Sequence, residues 1–474
     1  MWDSSMTTPA VTNPQDATAP ATAPLPSSVT DWAASRPQTT STFDRDKQLF
    51  GRFWQAGIAL LRSLPPKARR DAVQSASAAV IIDAARQARV MFLIAHSGAV
   101  YDSLTEKRTH FLRVDELSAA AAELVPGLVP NRSQLAEEQA LYLRDKDGHE
   151  IDQGLLLNHV LADPQSGMHL CHAMLLPRRE SLDHLSAFRR DGHIDLGGAR
   201  VKRAGRTAIV TMSNPRFLNA EDDTTLAAIE CAIDVCLLDP DSEICVIRGD
   251  RVEHPKYSGR RVFGSGINLT RLYQGNIPFL WYILRDMGFV NKIYRGVASP
   301  QITPDEVVGE TIEKLWIAQV DGFAIGGACQ LLLACDYIIA ASDAYLTLPA
   351  RKEGIIPGMA NMRLWRFTGD RLARQAIQME RRFDCDSAEG RRICDEVVPP
   401  TQTDQAVEAL VDRLLHSGSV SAVANRRAFR IAQEPLDLFR RYTAYYAKAE
   451  ALCHFSPQLI SNLEHYWNAK DRTT

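Results

Sequence analysis

Val320-Asp321-Gly322-Phe323-Ala324-Ile325-Gly326-Gly327-Ala328-Cys329-Gln330 is the stretch on which the fold turns. An apolar strand, Leu315 to Val320, leads into it, and the helix-forming run Ala328 to Ala334 follows. Adjacent glycines between strand and helix let the backbone approach a bound group closely. The first N–H groups of the helix have no intrahelical acceptor, and the helix dipole is positive at that end. Such donors suit an oxygen that gains negative charge during a reaction. Tight strand–helix packing also selects glycine, so the pair acquires meaning only from the rest of the chain.

Moving outward, short β-branched segments alternate with helical ones. Thr207 to Met212 and Ile244 to Arg248 read as strands, and Asp223 to Leu238 between them has apolar residues at helical spacing. Further strands are expected at Trp316 to Val320, Tyr337 to Ala341 and Tyr345 to Leu348, and helices at Asn361 to Phe367 and Leu372 to Glu380. Strands alternating with helices predict an α/β core over residues 194–400. Residues 43–193 carry only helical patterns, such as Phe53 to Leu64, Asp71 to Ser97 and Ser133 to Lys146, broken at Pro65-Pro66 and Pro126 to Pro130. They predict an all-α N-terminal domain. Residues 401–474 read as a C-terminal helical region, with Leu410, Leu414 and Leu415 on one helix face. Residues 1–42, rich in Pro, Thr, Ala and Ser, predict a disordered tail, because such a segment buries too little surface to offset its ordering entropy.

Composition excludes several functions. The 474 residues carry a net charge of −3, which offers nothing to nucleic acid or an anionic membrane. No uncharged apolar run approaches the ~20 residues a membrane span needs. The nine cysteines form no CxxC pair, and Cys231, Cys236, Cys245 and Cys335 lie in apolar runs. Buried free thiols in a reducing cytoplasm are expected. No basic segment followed by an apolar core marks a secretory signal.

Three motifs in order resemble the crotonase (enoyl-CoA hydratase/isomerase) superfamily. Arg261-Val262-Phe263-Gly264-Ser265-Gly266-Ile267-Asn268-Leu269 is similar to its first oxyanion-hole segment, usually Phe-x-x-Gly-x-Asp. Val320 to Gln330 resembles the second, and Pro349 to Gly358 with Arg363-Leu364 the third. The resemblance implies a ββα spiral core in which the N–H groups of Ile267 and Gly327 hold the thioester oxygen of an acyl-CoA. Gly266, Asn268, Ile325 and Gly326 would flank that site. Many hydratases of the superfamily carry glutamates where this chain has Gln330 and Ala350, and neither of these residues exchanges protons. Water addition by the usual route is therefore not expected.

The helical domain narrows the resemblance. Val100 to Thr105, Pro126 to Pro130, Glu150 to Gly154, Leu218 to Asp222 and Lys352 to Gly358 are similar to the subfamily of cofactor-independent 3,5-dihydroxyphenylacetyl-CoA 1,2-dioxygenases of glycopeptide-antibiotic biosynthesis. The likeness runs from about Thr42 to Ser461 and includes Gln330. It implies conversion of an arylacetyl-CoA and O2 to an arylglyoxylate and CoA with neither metal nor flavin, in a cytoplasmic homotrimer or homohexamer. By the same resemblance Glu221 orients a substrate hydroxyl, and Gln330 hydrogen-bonds substrate or an oxygen-derived intermediate. Arg260, Arg261 and Arg285 are candidates for CoA phosphates or ring hydroxyls, and Phe263, Phe323, Ile325 and Ile356 for apolar walls. One position departs: the subfamily has two adjacent arginines where this chain has Arg285-Asp286. An acid there repels a phenolate but accepts from a neutral hydroxyl.

Other classes remain open from sequence. A redox-neutral crotonase, hydrolase or isomerase, uses the same oxyanion hole, and a non-catalytic scaffold would have no need of one. His193-Ile194-Asp195 with His254 has the spacing of a facial iron triad, and His169-x-x-His172 that of a ligand pair, each without further supporting ligands.

Overall fold

Thr207, Ile209 and Thr211 alternate with Ala208, Val210 and Met212, and this period of two builds the centre of the main sheet. The structure is a computed structural model that describes residues 25–257, 259–416 and 418–472. Its ten strands are β1 (His193–Asp195), β2 (Ala199–Ala204), β3 (Thr207–Met212), β4 (Ile244–Gly249), β5 (Leu315–Val320), β6 (Phe323–Ile325), β7 (Tyr337–Ala341), β8 (Tyr345–Thr347), β9 (Phe383–Asp384) and β10 (Glu396–Val398). Seven form one sheet in the order β1-β2-β3-β4-β5-β7-β10, and β6-β8-β9 form a second. From β3 to β10 the large sheet is parallel, with Thr207 opposite Ile244 and Ile244 opposite Leu315.

Helices α1 (Ser27–Ala34), α2 (Phe43–Arg62), α3 (Ala72–Leu104), α4 (Val114–Leu124), α5 (Arg132–Gln139), α6 (Ile151–Ala162), α7 (Pro164–Leu175) and α8 (Arg179–Asp191) precede the sheet. Within and after it come α9 (Leu226–Leu238), α10 (Leu269–Tyr273), α11 (Leu280–Arg285), α12 (Asn291–Arg295), α13 (Gly327–Leu332), α14 (Ala350–Glu353), α15 (Ala360–Thr368) and α16 (Asp370–Met379). The chain closes with α17 (Thr403–His416), α18 (Ser419–Gln433), α19 (Leu436–His454) and α20 (Pro457–Tyr466). The helix expected over Ser133 to Lys146 is shorter, ending at Gln139 before a single 3-10 turn, Leu143–Asp145.

Strand alternation separates two cores. Cys245 and Ile247 pack with α9, α13 and α16 on one face, while Ile244, Val246, Ile317 and Ile339 meet Ala406, Val407, Leu410 and Val411 of α17 on the other. A third core joins α1–α4, α6 and α7 to residues of the 267–287 segment and to α19 and α20. Gly154 sets that packing: a Cβ there would lie 2.6 Å from Ala451 Cβ and 2.8 Å from Ala447 O, so α6 and α19 approach at backbone distance.

The sequence expectation of a disordered tail is corrected for its last part. Ser27–Ala34 is helical, with Val29 and Trp32 buried. Trp32 stacks on Phe53 with centroids 4.4 Å apart, and its Nε1 donates to Phe53 O at 3.0 Å. Two apolar residues one helical turn apart dock a segment that its average composition describes as unable to fold. Residues 1–24 lie outside the described residues.

Candidate active site

Two backbone pairings draw the glycine-rich segments together. Gly264 N–H donates to Phe323 O at 3.2 Å and Ile325 N–H to Gly264 O at 3.1 Å. Next to them, Glu221 N–H donates to Gly266 O at 2.7 Å and Asn268 N–H to Glu221 O at 2.9 Å. Ile267 falls between these bonds. Among the described residues neither Ile267 N–H nor Gly327 N–H finds a protein acceptor; Ile267 is buried and Gly327 half-buried. Buried backbone donors are nearly always paired, so two orphans side by side mark a place for an external acceptor. Their closeness depends on Gly266 at φ +80°, where a Cβ would sit 3.0 Å from Gly327 N.

Ile267 lies between two spaces, and Gly327 borders the smaller of them. A cleft of about 820 Å³ is lined by Ile267, Asn268, Phe323, Ile325 and Pro349, and by the cations Arg216, Lys352 and Arg472. Behind it is a small chamber bounded by Ile267, Gly327, Gln330, Trp281, Tyr282, Arg285, Asp286, Ile355, Ile356, Gly358 and Tyr446. Ile267 borders both.

Arg285 organises the chamber. Its Nε and Nη2 donate to the two carboxylate oxygens of Glu221 at 2.6 and 2.9 Å, its Nη1 to Asp286 Oδ1 at 2.9 Å and Gln330 Oε1 at 3.1 Å, and its Nη2 also to Gly327 O at 2.7 Å. Burial works against this guanidinium's charge, but Glu221 and Asp286 outweigh it and raise its pKa. Asp286 has a raised pKa through burial, partly offset by Arg285 and by a hydrogen bond from Tyr446. Only glycine at 358 leaves room for it, since a Cβ there would lie 1.9 Å from Asp286 Oδ2. Beyond Tyr446, Glu450 accepts from Ile356 N–H at 2.8 Å while its other oxygen is buried without a partner. Burial, with Asp286 and Glu353 nearby, pushes Glu450 up to about 8. Trp281 Nε1 is likewise buried with no acceptor.

The structure brings Glu221, Gly266, Ile267, Asn268, Arg285, Ile325, Gly326, Gly327 and Gln330 together. Asn268 caps α10, accepting from Arg271 N–H at 3.3 Å and donating to Asp222 at 2.9 Å. Arg260 and Arg261 stand apart, paired on the surface with Asp343 at 2.6 Å and Asp404 at 2.7 Å. Arg285 faces inward carboxylates rather than the cleft. Of the expected walls, Phe323, Ile325 and Ile356 border the two spaces, whereas Phe263 is packed in the sheet core. Sequence reasoning missed Tyr446 and Glu450 of α19, which come from far along the chain and carry no local motif. Glu353 was in plain view inside the third motif.

The metal triad is not assembled. His193 is exposed on β1, where its Nδ1 lies 3.1 Å from Asp191 O, and Asp195 accepts from Gly197 N–H. His169 and His172 are occupied by Tyr101 at 2.8 Å and Ser299 O at 3.1 Å. Among the described residues no group of three or more His, Cys, Asp or Glu is placed to hold a metal ion, and no helix is long and apolar enough to cross a membrane.

Residues 300–450 match the enoyl-CoA hydratase/isomerase family. The chain is 43% identical over 405 residues to (3,5-dihydroxyphenyl)acetyl-CoA 1,2-dioxygenase of Amycolatopsis orientalis, covering 85% of this chain and 92% of that one. It is 26% identical over 239 residues to the short-chain-enoyl-CoA hydratase of Clostridium acetobutylicum, covering 50% of this chain and 82% of the relative. Among solved structures, an enoyl-CoA hydratase from Mycobacterium avium subsp. paratuberculosis aligns with 57% of this chain and 98% of its own, at 20% identity and a TM-score of 0.46. The dioxygenase likeness spans helical domain and core together, and on that extent the chain belongs to the crotonase (enoyl-CoA hydratase/isomerase) superfamily.

Proposed function

We propose that the chain is a dioxygenase that converts an arylacetyl-CoA, resembling 3,5-dihydroxyphenylacetyl-CoA, and O2 into an arylglyoxylate and free CoA, with no metal or flavin. The observation that carries this reading is the 43% identity to a dioxygenase across 85% of the chain, helical domain included. The site chemistry agrees with it. CoA lies in the large cleft with its phosphates toward Arg216, Lys352 and Arg472, in place of the Arg260 and Arg261 expected from sequence. The thioester oxygen accepts from Ile267 and Gly327 N–H, and the aryl group points toward the chamber, which at about 20 Å³ must open to receive a ring.

Loss of an α-proton leaves an enolate whose oxygen charge the two fixed donors stabilise, a contribution of about 10²–10³ in rate for one such donor. Ile355 and Ile356 keep water from the carbanion, so that oxygen meets it before a proton returns. Gln330, held by Arg285 and unable to ionise, offers no proton to the carbanion. The Trp281 N–H and the Asp286 carboxylate are placed for ring hydroxyls. The remaining expectations, a cytoplasmic trimer or hexamer in antibiotic biosynthesis, belong to the same reading.

The test is aerobic incubation with a panel of aryl- and alkylacetyl-CoA thioesters, following O2 uptake and free CoA with and without a chelator. Equal amounts of O2 consumed and CoA released, unchanged by chelator, are expected. CoA release at the same rate without oxygen would identify a redox-neutral hydrolase and end the dioxygenase reading.

A further inference from the structure

Ala350 occupies the position where many relatives have a catalytic glutamate, yet the short helix that begins there ends in one. Glu353 lies three residues on, one helical turn later, so it projects from about the same face of α14. The glycine pair is beside it: a Cβ at Gly326 would be 3.8 Å from each Glu353 carboxylate oxygen and 3.9 Å from Gly266 Cα. The carboxylate therefore stands where the two oxyanion segments meet, at the wall of the cleft. Among the described residues it makes no hydrogen bond and no ion pair, although Lys352 next to it pairs with Glu380 at 3.8 Å. A half-buried carboxylate left without a partner, beside two orphaned N–H groups, has no structural task in the fold.

We propose that Glu353 is the general base that removes the α-proton of the acyl-CoA, a role resting on the dioxygenase reading above. In this step the Cα–H bond breaks, the proton passes to a Glu353 oxygen, and the electron pair moves into the enolate held by Ile267 and Gly327 N–H. No oxidant enters until the enolate exists, so proton transfer is separable from oxygenation. Burial, with Glu380 adding to it and Lys352 opposing it, lifts the Glu353 pKa to about 7. Glu450 of α19 and Tyr282 of α11 also face this carboxylate. A base poised near neutrality combines a large ionised fraction with useful basicity.

The experiment is anaerobic α-hydrogen exchange of an arylacetyl-CoA that supports O2 uptake, in deuterated water, with full-length wild type and the variants Glu353→Gln and Glu353→Asp. Binding of a non-exchangeable acyl-CoA ether is measured in parallel. Wild-type exchange is expected to rise with pH through about 7, where the base ionises. Glu353→Gln should lose about 10²–10⁴ in exchange rate while binding the ether within roughly threefold of wild type. Glu353→Asp should recover part of the rate, which separates a proton-transfer role from a packing one. Wild-type exchange with an equally active Glu353→Gln would overturn the assignment and leave the dioxygenase reading standing. Should Glu353→Gln not fold, a Glu353→Asp variant exchanging at the full rate with an unshifted pH profile would overturn it equally. A wild type that neither exchanges nor consumes O2 with any arylacetyl-CoA would remove the parent reading, and this assignment with it.

Discussion

Substituting alanine at Gly266 tests the proposed oxyanion site through geometry alone. The added Cβ would lie 2.7 Å from Ile325 O, 3.0 Å from Gly327 N and 3.4 Å from Gly326 Cα, all backbone atoms of the opposite segment. No side chain can rotate away, so the segments must separate by several tenths of an ångström. The residue also sits at φ +80°, which costs an L-amino acid about 1 kcal/mol. The separation displaces one N–H from the position an enolate oxygen needs, and loss of one such donor removes about 10²–10³ in rate. The CoA cleft is left intact, so KM should change little. Urea denaturation should show about 1–3 kcal/mol less stability, with the protein still folded. Anaerobic α-hydrogen exchange, read as a function of substrate concentration, gives the kinetic split. A folded variant exchanging within about fivefold of wild type would mean that Ile267 and Gly327 do not hold the oxyanion.

Gln330→Glu keeps an acceptor for Arg285 Nη1, so the fold should survive while O2 uptake falls more than analogue binding, with exchange retained; undiminished uptake would refute the assigned role of the amide. Arg285→Met strands two buried carboxylates, Glu221 and Asp286, and should cost about 3–5 kcal/mol in urea denaturation, a loss below ~1 kcal/mol refuting its organising role. Burial opposes the charge on Glu434, but Arg363, Arg295 and Arg366 overcome it and hold the carboxyl at about 2, below its unfolded value of 4.5. A depressed pKa stabilises above the unfolded value, so this contribution, about 3 kcal/mol, is complete above pH 4.5 and fades as pH falls toward 2. Denaturation midpoints between pH 6 and pH 3 should fall more steeply in wild type than in Glu434→Gln, and parallel slopes would refute the linkage.

Strands β4, β5 and β7 were legible because their apolar residues are buried on both faces of a parallel sheet, and β3 because its β-branched residues alternate with a more deeply buried face. Strand β2 was not, since Arg200, Lys202 and Arg203 interrupt its apolar positions in an antiparallel pair near the sheet edge. Strand β6 is three residues long, too short for any period to show. The two glycine segments, proposed here to form the oxyanion site, were readable as local motifs, because glycine is demanded where two backbones touch. Arg285 was read as a candidate for phosphates or ring hydroxyls, but its pairing with Glu221 depends on residues 64 apart in the chain. Tyr446 and Glu450 left no trace, because a helix that closes a site from the far end of a sequence looks like any amphipathic helix. Ala350 drew attention to a missing carboxylate, and the attention stopped one helical turn short of Glu353.

The close seating of α6 on α19 also governs the order in which the protein can be finished. Leu155, Leu156, Leu157, Val160 and Leu161 of α6 are buried in a core that α19 completes, and Asn158 Nδ2 bonds Ala444 O at 2.7 Å across 286 residues. During synthesis α6 leaves the ribosome long before residues 436–454 exist, so its apolar side waits uncovered while the whole sheet is being made. Covering that surface and closing the wall with Tyr446 happen in the same event. A nascent chain truncated before Leu436 would hold a formed sheet and both glycine segments, yet have neither a closed chamber nor a settled helical domain.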